Sequence, residues 1–322
     1  VQKNFRIAAI FTIILSLVLT TSYFSNDSVV KAAGPYLTVH VLDVDDSGYI
    51  IELPDGKIMV VDAGRSSELT KVENKLNALG ITKIDYLVGT HEHTDHIANF
   101  DSLINDYTIG GVYFPDAPAP CNNTVCNDMK TAASNNGVTI HYMNAGQRIF
   151  PTTTVNGLTL STFVFAPHAD DDYSAYYTEG STESINSYSM VLDLVYGSKK
   201  ILFTGDIYPE AQDVLTSNYT LGGHNIITAP HHGYGGTNQA SFLDYMEAAG
   251  TSKIIIDNQK GCGTVVDFKY LLQTRGTSKY WSIGYNHDFY QRTDGINWST
   301  DSTAEWSPGD PVVVPPVDHS CP

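Results

Sequence analysis

Six consecutive residues, His91-Glu92-His93-Thr94-Asp95-His96, carry three imidazoles and two carboxylates. Imidazole nitrogen and carboxylate oxygen at this density form a donor set for zinc and similar borderline cations. His91 and His93 are separated by one residue, so both can face one ion. Asp95 and His96 can turn toward a second. A polar loop that is rich in histidine by chance is the plain alternative. Three His and an Asp within six residues, directly after the apolar run Ile84 to Val88, argue against it. Later in the chain, Asp206 and the pair His231-His232 again follow apolar runs.

The elements that would hold these residues are short and alternate in type. Tyr36 to Val44 reads as a strand. Gly48 to Leu53 and Lys57 to Val61 read as a hairpin about Pro54-Asp55-Gly56. Ser67 to Leu79 has Leu69, Val72, Leu76 and Leu79 at helical spacing and stops at Gly80. Ile84 to Val88 is a buried strand, and Ile97 to Tyr107 reads as helix. A second series follows, with strands at Leu158 to Phe165, Ser189 to Val195 and Lys200 to Phe203. Pro209 to Leu215 is helical, His224 to Thr228 is a strand, and Ser241 to Ala249 is helical. Ile254 to Ile256 is a strand and Phe268 to Arg275 a helix. Tyr280 to Ile283, Phe289 to Arg292 and Ile296 to Ser299 are expected as closing strands. Two comparable halves, 36–150 and 157–300, suit two packed sheets with helices outside, an α+β sandwich of αββα type. The candidate residues fall in loops after strands, where scaffolds present functional side chains.

The chain has 322 residues, 42% hydrophobic and 16% charged, with a formal net charge of −17. This acidity lacks the basic footprint of a dedicated nucleic-acid binder. Lys3 and Arg6 precede the apolar stretch Ile7 to Leu19, and Ala32-Ala33 follow as small residues. That is the layout of a secretory signal peptide. Residues 1–33 are therefore expected to be removed on export to the surface or exterior of a bacterium, leaving no stable membrane span. A retained anchor is the alternative. A hydrolase domain over 34–307 and a Pro-rich tail over 308–322 complete the expected organisation. In an exported protein, an even number of cysteines suggests disulfides. Cys121 and Cys126 are close enough to staple their loop, and Cys262 can then pair with Cys321.

Val61-Asp62-Ala63-Gly64, the His91–His96 cluster, Phe203-Thr204-Gly205-Asp206 and Pro230-His231-His232-Gly233 together resemble the metallo-β-lactamase superfamily. Within it, Leu42-Asp43-Val44, Ser189-Met190-Val191-Leu192 and Arg292-Thr293-Asp294-Gly295 resemble the branch of ComEC-like hydrolase domains and secreted phosphorylcholine esterases. That branch's Gly-Gln-Gly-Asp turn reads here Asp45-Asp46-Ser47-Gly48. The resemblance implies two divalent ions, Zn2+ foremost, with Mn2+ or Fe as alternatives. It implies His91, His93 and Asp206 on one ion, and Asp95, His96, His232 and a bridging Asp206 on the other. Asp62 would support the site from behind. His231 rivals His232 as ligand, or instead contacts substrate or donates a proton. For Asp62 a plain turn, and for Asp206 a helix cap before Pro209, are the structural alternatives.

Many members of the superfamily place a further metal-binding histidine between the first cluster and the bridging Asp. Here only His141 and His168 stand in that interval, and Asn186-Ser187 occupy the position where the branch carries an Asn-containing segment. Two divalent ions, partly offset by Asp95 and Asp206, would acidify a bridging water to hydroxide and stabilise an anionic phosphoryl transition state. An anionic phosphodiester is thus the expected substrate: nucleic acid, a phosphocholine or teichoic-type polymer, or a small diester. Screening beyond about 8 Å lets the local field override global acidity. A long polyanion would still want more Lys and Arg. Tyr173, Tyr176, Tyr177, Tyr280, Trp281, Tyr285 and Tyr290 could hold a choline-like cation or stack on a base, although core or surface packing is the expected role of most, and His287 could approach the site. A lactonase or β-lactamase-type hydrolase is the rival enzyme, and a non-catalytic cell-surface binding module is the rival outside catalysis.

Overall fold

The structure, a computed structural model, describes residues 36–44, 47–117, 121, 123–234, 237–251, 253–256, 279–282 and 289–298. The expected signal peptide, the tail, the helix Phe268–Arg275, the Cys262–Cys321 pair, Tyr285 and His287 lie outside them.

Alternating side chains build the first sheet. In β1 (Leu37–Val41), Leu37, Val39 and Val41 face one way. In β3 (Ile58–Ala63), Met59 and Val61 join them, while Val60 and Ala63 face the other way. Period-2 patterning thus gives one strand two apolar faces, as a sheet covered on both sides requires. β2 (Gly48–Glu52) pairs antiparallel with both. Beyond β3 run β5 (Tyr86–Val88), β7 (Val112–Pro115) and β8 (Ile140–Met143), all parallel to one another and to β3. The two-residue strands β4 (Lys83–Ile84) and β6 (Thr108–Ile109) form a small separate pair.

The second sheet has the order β15-β14-β13-β12-β11-β10-β9. Its strands are β9 (Thr153–Val155), β10 (Leu158–Ala166), β11 (Val191–Tyr196), β12 (Lys199–Phe203), β13 (Ile226–Thr228), β14 (Lys253–Ile256) and β15 (Lys279–Ser282). Leu160, Leu192, Leu194, Ile201 and Phe203 from it pack against Val39, Tyr49, Met59 and Val61, which makes one core between the sheets. Helices α1 (Leu69–Ala78), α3 (Phe100–Asp106) and α4 (Thr124–Asn136) cover the outer face of the first sheet through Val72, Leu76, Phe100, Leu103 and Met129. Helices α6 (Pro209–Asn218) and α7 (Ala240–Ala248) cover the second through Leu215, Phe242 and Met246. This is the αββα sandwich read from the sequence. Among the described residues no helix is long and apolar enough to cross a membrane.

Several local expectations change. The last strand, β16 (Phe289–Thr293), leaves the second half and pairs with β1, closing the first sheet, so the halves interlock. Ile296 and Asn297 form a turn, both N–H groups donating to Asp294 Oδ1, and Trp298 makes a single bridge to Thr293. An Asx-type turn has replaced the third closing strand. The expected helix Ile97–Tyr107 is two pieces, α2 (Thr94–Ile97) and α3. It breaks at Ala98-Asn99, where Asn99 Nδ2 donates to the carbonyls of Ala63 and Arg65 at 2.7 and 2.8 Å. Helix α4 carries little apolar signal because its buried side chains are mostly small: Cys126, Ala132 and Ala133 beside Met129. Asn123 caps it, accepting from Cys126 N, and a disulfide joins Cys121 to Cys126.

Candidate metal centre

Parallel strands β3 and β5 in one sheet, and β12 and β13 in the other, all end at the same edge of the sandwich. Asp62 ends β3, the His91–His96 loop follows β5, Asp206 follows β12 and His231-His232 follow β13. The C-terminal ends of parallel strands are the usual place for ligand sites in sheets of this kind.

At the centre stands the Asp206 carboxylate, 2% exposed. Its Oδ2 lies 3.4 Å from His96 Nε2, 3.4 Å from His232 Nε2, 3.6 Å from His91 Nε2 and 3.7 Å from His231 Nε2. Two nitrogen pairs face each other across this point. His91 Nε2 is 3.0 Å from His93 Nδ1, and His96 Nε2 is 3.2 Å from His232 Nε2. Asp95 Oδ2 lies 3.8 Å from His232 Nε2 and 3.4 Å from Arg65 Nη2. Each nitrogen pair is close enough for an N–H···N hydrogen bond, its direction set by the tautomer, or for both nitrogens to turn toward one cation. Imidazole nitrogen and carboxylate oxygen converging here fit a divalent ion, and His91-His96-Asp206 and Asp95-His96-His232, two triads that share His96, each bring three donors close enough to hold one.

The charge states follow from this crowding. Burial pushes Asp206 upward, but His232, His96, His91 and His231 outweigh it and hold the carboxyl well below its ordinary range. Burial also works against Asp95, which His96, His232 and Arg65 nevertheless keep low. Burial, reinforced by His96, holds His91 well below the usual imidazole value, and burial lowers His93 and His231. His96 is the exception. Burial disfavours its charged form, but Asp206 and Asp62 together raise it well above the ordinary value.

Asp62 works from behind the cluster. Its Oδ1 accepts from Thr90 N and its Oδ2 from Thr90 Oγ1, both at 2.8 Å. Oδ2 is also 2.8 Å from His96 Nδ1. When His96 is neutral, a proton on Nδ1 shared with Asp62 would leave Nε2, 3.4 Å from Asp206, free to serve as a ligand. Burial raises the Asp62 carboxyl, and His96 partly offsets this.

The backbone here is unusual. Four non-glycine residues among those described have positive φ, and three are Asp62, His231 and His232, at 53°, 47° and 55°. Each such residue costs on the order of 1–3 kcal/mol and persists only where its surroundings fix it. Asn238 fixes the histidine turn, its Nδ2 donating to the carbonyls of Pro230 and Tyr234. Gly205 is also left-handed, and a Cβ there would sit 2.8 Å from Ser189 and 3.0 Å from Thr90. The next residue, Asp206, donates its N–H to Ser189 Oγ.

Other residues singled out by the sequence go elsewhere. Glu92 turns away from the centre, placing Oε2 3.5 Å from Cys126 Sγ. His168 lies against Tyr219, its Nε2 2.9 Å from the Tyr219 hydroxyl, and His141 stacks on Tyr113. Neither touches the cluster. Asn186 is buried in α5 (Thr182–Ser187), its amide making no hydrogen bond among the described residues, and the ring of Tyr208 lies 5.4 Å from that of His231. Tyr173 packs on Tyr188, Tyr177 donates to Glu210, and Tyr176 is exposed. Tyr290 lies in β16 beside His40 and Arg292. Ser189 stands in the Ser189–Leu192 motif, whereas Thr90, Asn99, Asn238 and Arg65 support or border the site and carry no motif of their own. Only their nearness to Asp62, Asp206 and the histidines in sequence or space marks them.

Residues 45–125 match the family model of the metallo-beta-lactamase superfamily. That stretch holds Asp62 and the whole His91–His96 cluster, and the chain carries a domain with the fold of this superfamily of metal-dependent hydrolases. No curated protein matches. Among solved structures, the chain is similar to the metallo-beta-lactamase fold protein YhfI from Bacillus subtilis at 12% identity. That match covers 80% of this chain and 100% of the other, with a TM-score of 0.48. It is similar to a diphosphatase from the PhnP family at 13% identity, covering 68% and 85%, with a TM-score of 0.36. It is also similar to the Rm3 metallo-beta-lactamase at 11%, covering 66% and 87%, with a TM-score of 0.40. Likeness at this level bears on none of the finer chemistry.

Proposed function

We propose that the protein is a secreted phosphodiesterase dependent on two divalent ions, of the ComEC-like and phosphorylcholine esterase branch. The observation that carries this reading is Asp206 Oδ2, held 3.4–3.7 Å from four imidazole nitrogens. On the allocation the resemblance implies, Asp206 would help hold both ions, with His91 and His93 at one and His96, His232 and Asp95 at the other. Neither His141 nor His168 reaches the cluster, which supports the branch whose members lack that further histidine.

Bound divalent ions, Zn2+ foremost, supply the positive charge that acidifies water and stabilises an anionic phosphoryl transition state. The chain's own residues do the rest. Asp62 fixes the tautomer and aim of His96. Arg65, half-exposed beside Asp95, is placed to meet a phosphoryl oxygen. His231, with one-fifth of its side chain exposed, is placed to exchange a proton with the departing oxygen. A disulfide at Cys121–Cys126 suits an exported protein.

The metal-loaded chain should hydrolyse bis-p-nitrophenyl phosphate, p-nitrophenylphosphorylcholine or DNA, and lose this activity to a chelator. Turnover of nitrocefin or a lactone with none of the phosphodiesters would replace this reading with the lactonase or β-lactamase one. Metal binding without turnover of any substrate would favour the binding module.

A further inference from the structure

Two cavities of opposite character flank the centre. The first, about 330 Å³, opens beside His91 and is walled by Phe114, Pro115, Tyr142, Ile185 and Tyr188. Tyr142 is 45% exposed, one of few large apolar side chains among the described residues left in water. Among the described residues the charged groups on this wall are carboxylates, Glu92 and Asp116, with no Lys or Arg. Such a pocket excludes an anionic group by repulsion and gains from covering an apolar one.

The second, about 560 Å³, starts at Arg65, which touches Asp95, and is walled by Ser66, Ser67, Thr94, Asn99 and Ser102. Beside Leu69, Ala98 and Val125, its side chains present hydroxyls, an amide, the Arg65 guanidinium and the carboxylates of Asp101 and Asp128, donors and acceptors that replace the water around an uncharged polyhydroxylated ligand. A third cavity, bordered by His93, Asp95 and Thr182, lies between them. It shares Thr94 and Val125 with the polar groove. On the other side, Thr182 belongs to α5, whose Ser184 and Ile185 line the apolar pocket.

We propose, resting on the phosphodiesterase reading, that the substrate is an asymmetric phosphodiester. An uncharged alkyl or aryl group occupies the His91 side, and a hydroxyl-rich group such as a glycerol or sugar occupies the Arg65 side. Water adds across one P–O bond, giving an alcohol or phenol and a phosphomonoester. A nucleic-acid strand fits poorly, because its next phosphate would enter the pocket walled by Glu92 and Asp116.

The test uses the metal-loaded full chain and three p-nitrophenyl phosphodiesters whose second group is glyceryl, methyl or p-nitrophenyl. Rates are divided by those of alkaline hydrolysis. The glyceryl diester should exceed the other two by about tenfold in kcat/KM, the scale on which a pocket discriminates one group. Ser67→Leu should remove that preference, and Ile185→Glu should raise KM for all three diesters, with metal content unchanged in both variants. Turnover that follows alkaline reactivity with no preference, in wild type and variants alike, overturns this inference and leaves the phosphodiesterase reading standing. No turnover of any phosphodiester overturns both.

Discussion

The two halves of the molecule contribute to one centre in different ways. The first gives His91, His93, Asp95 and His96 from a single loop after β5. The second gives Asp206 after β12 and His231-His232 after β13, residues 25 positions apart that only parallel pairing of β12 with β13 brings together. One half concentrates its donors in sequence and the other concentrates them in space. The first kind of cluster declares its chemistry unaided, while the second depends on the fold being formed.

This contrast is best broken at Asp206. Asp206→Ala should cost roughly a hundred- to a thousandfold in kcat, the loss seen when a preorganised charge-stabilising group is removed. It should also lower bound metal, read by elemental analysis. Full metal content with unchanged kcat would show that the first loop suffices alone. Asp62→Asn should weaken metal affinity by about 10–100-fold, since it disturbs the partner that aims His96. Thermal unfolding would show whether the fold survives.

The two adjacent histidines separate next. His232 is 2% exposed and faces His96 and Asp95, whereas His231 is more open and stacks on Tyr234 at 5.0 Å. His232→Gln should lower metal content. His231→Gln should keep the metal and lower kcat by about 10²-fold, the usual worth of a proton-transfer group. The reverse pattern would exchange their roles.

A smaller effect appears in protons. In the metal-free protein Asp206 and Asp62, against burial, raise His96 well above its ordinary value and so favour its protonated form. His91 and His93 are lowered and already neutral. Metal binding at pH 7 should therefore release a proton from His96, seen as a calorimetric heat that varies with the buffer's ionisation enthalpy. A buffer-independent heat would contradict this. By the same linkage, the stability His96 lends the metal-free fold is present below the ordinary histidine value and lost as pH rises through the raised one. Asp206 acts oppositely, its contribution vanishing as pH falls through its depressed range.

Much of this was legible in the chain. The strand–helix alternation gives the sandwich because alternate residues in β1 and β3 face different layers. The His91–His96 loop gives the metal chemistry because its donors are contiguous. Helix α4 was illegible because small residues and a disulfide, rather than an apolar stripe, hold it down. The return of β16 to the first sheet was illegible because strand pairing partners are not written in local patterning. Arg65, Asn99 and Asn238 were illegible because a supporting role has no spacing rule. The two flanking cavities arise from loops distant in sequence, so their contrast appears only once the fold is closed.

The left-handed backbone at Asp62, His231 and His232 sets a trade-off between durability and chemistry. Glycine tolerates such dihedrals without strain. Selection for a robust empty scaffold alone would drift these three positions toward it. A protein that keeps a carboxylate and two imidazoles there has given up part of its margin against unfolding to hold reactive groups where relaxed geometry would not put them. Variants selected only for heat resistance should accumulate losses first at this rim, well before the sandwich beneath it changes.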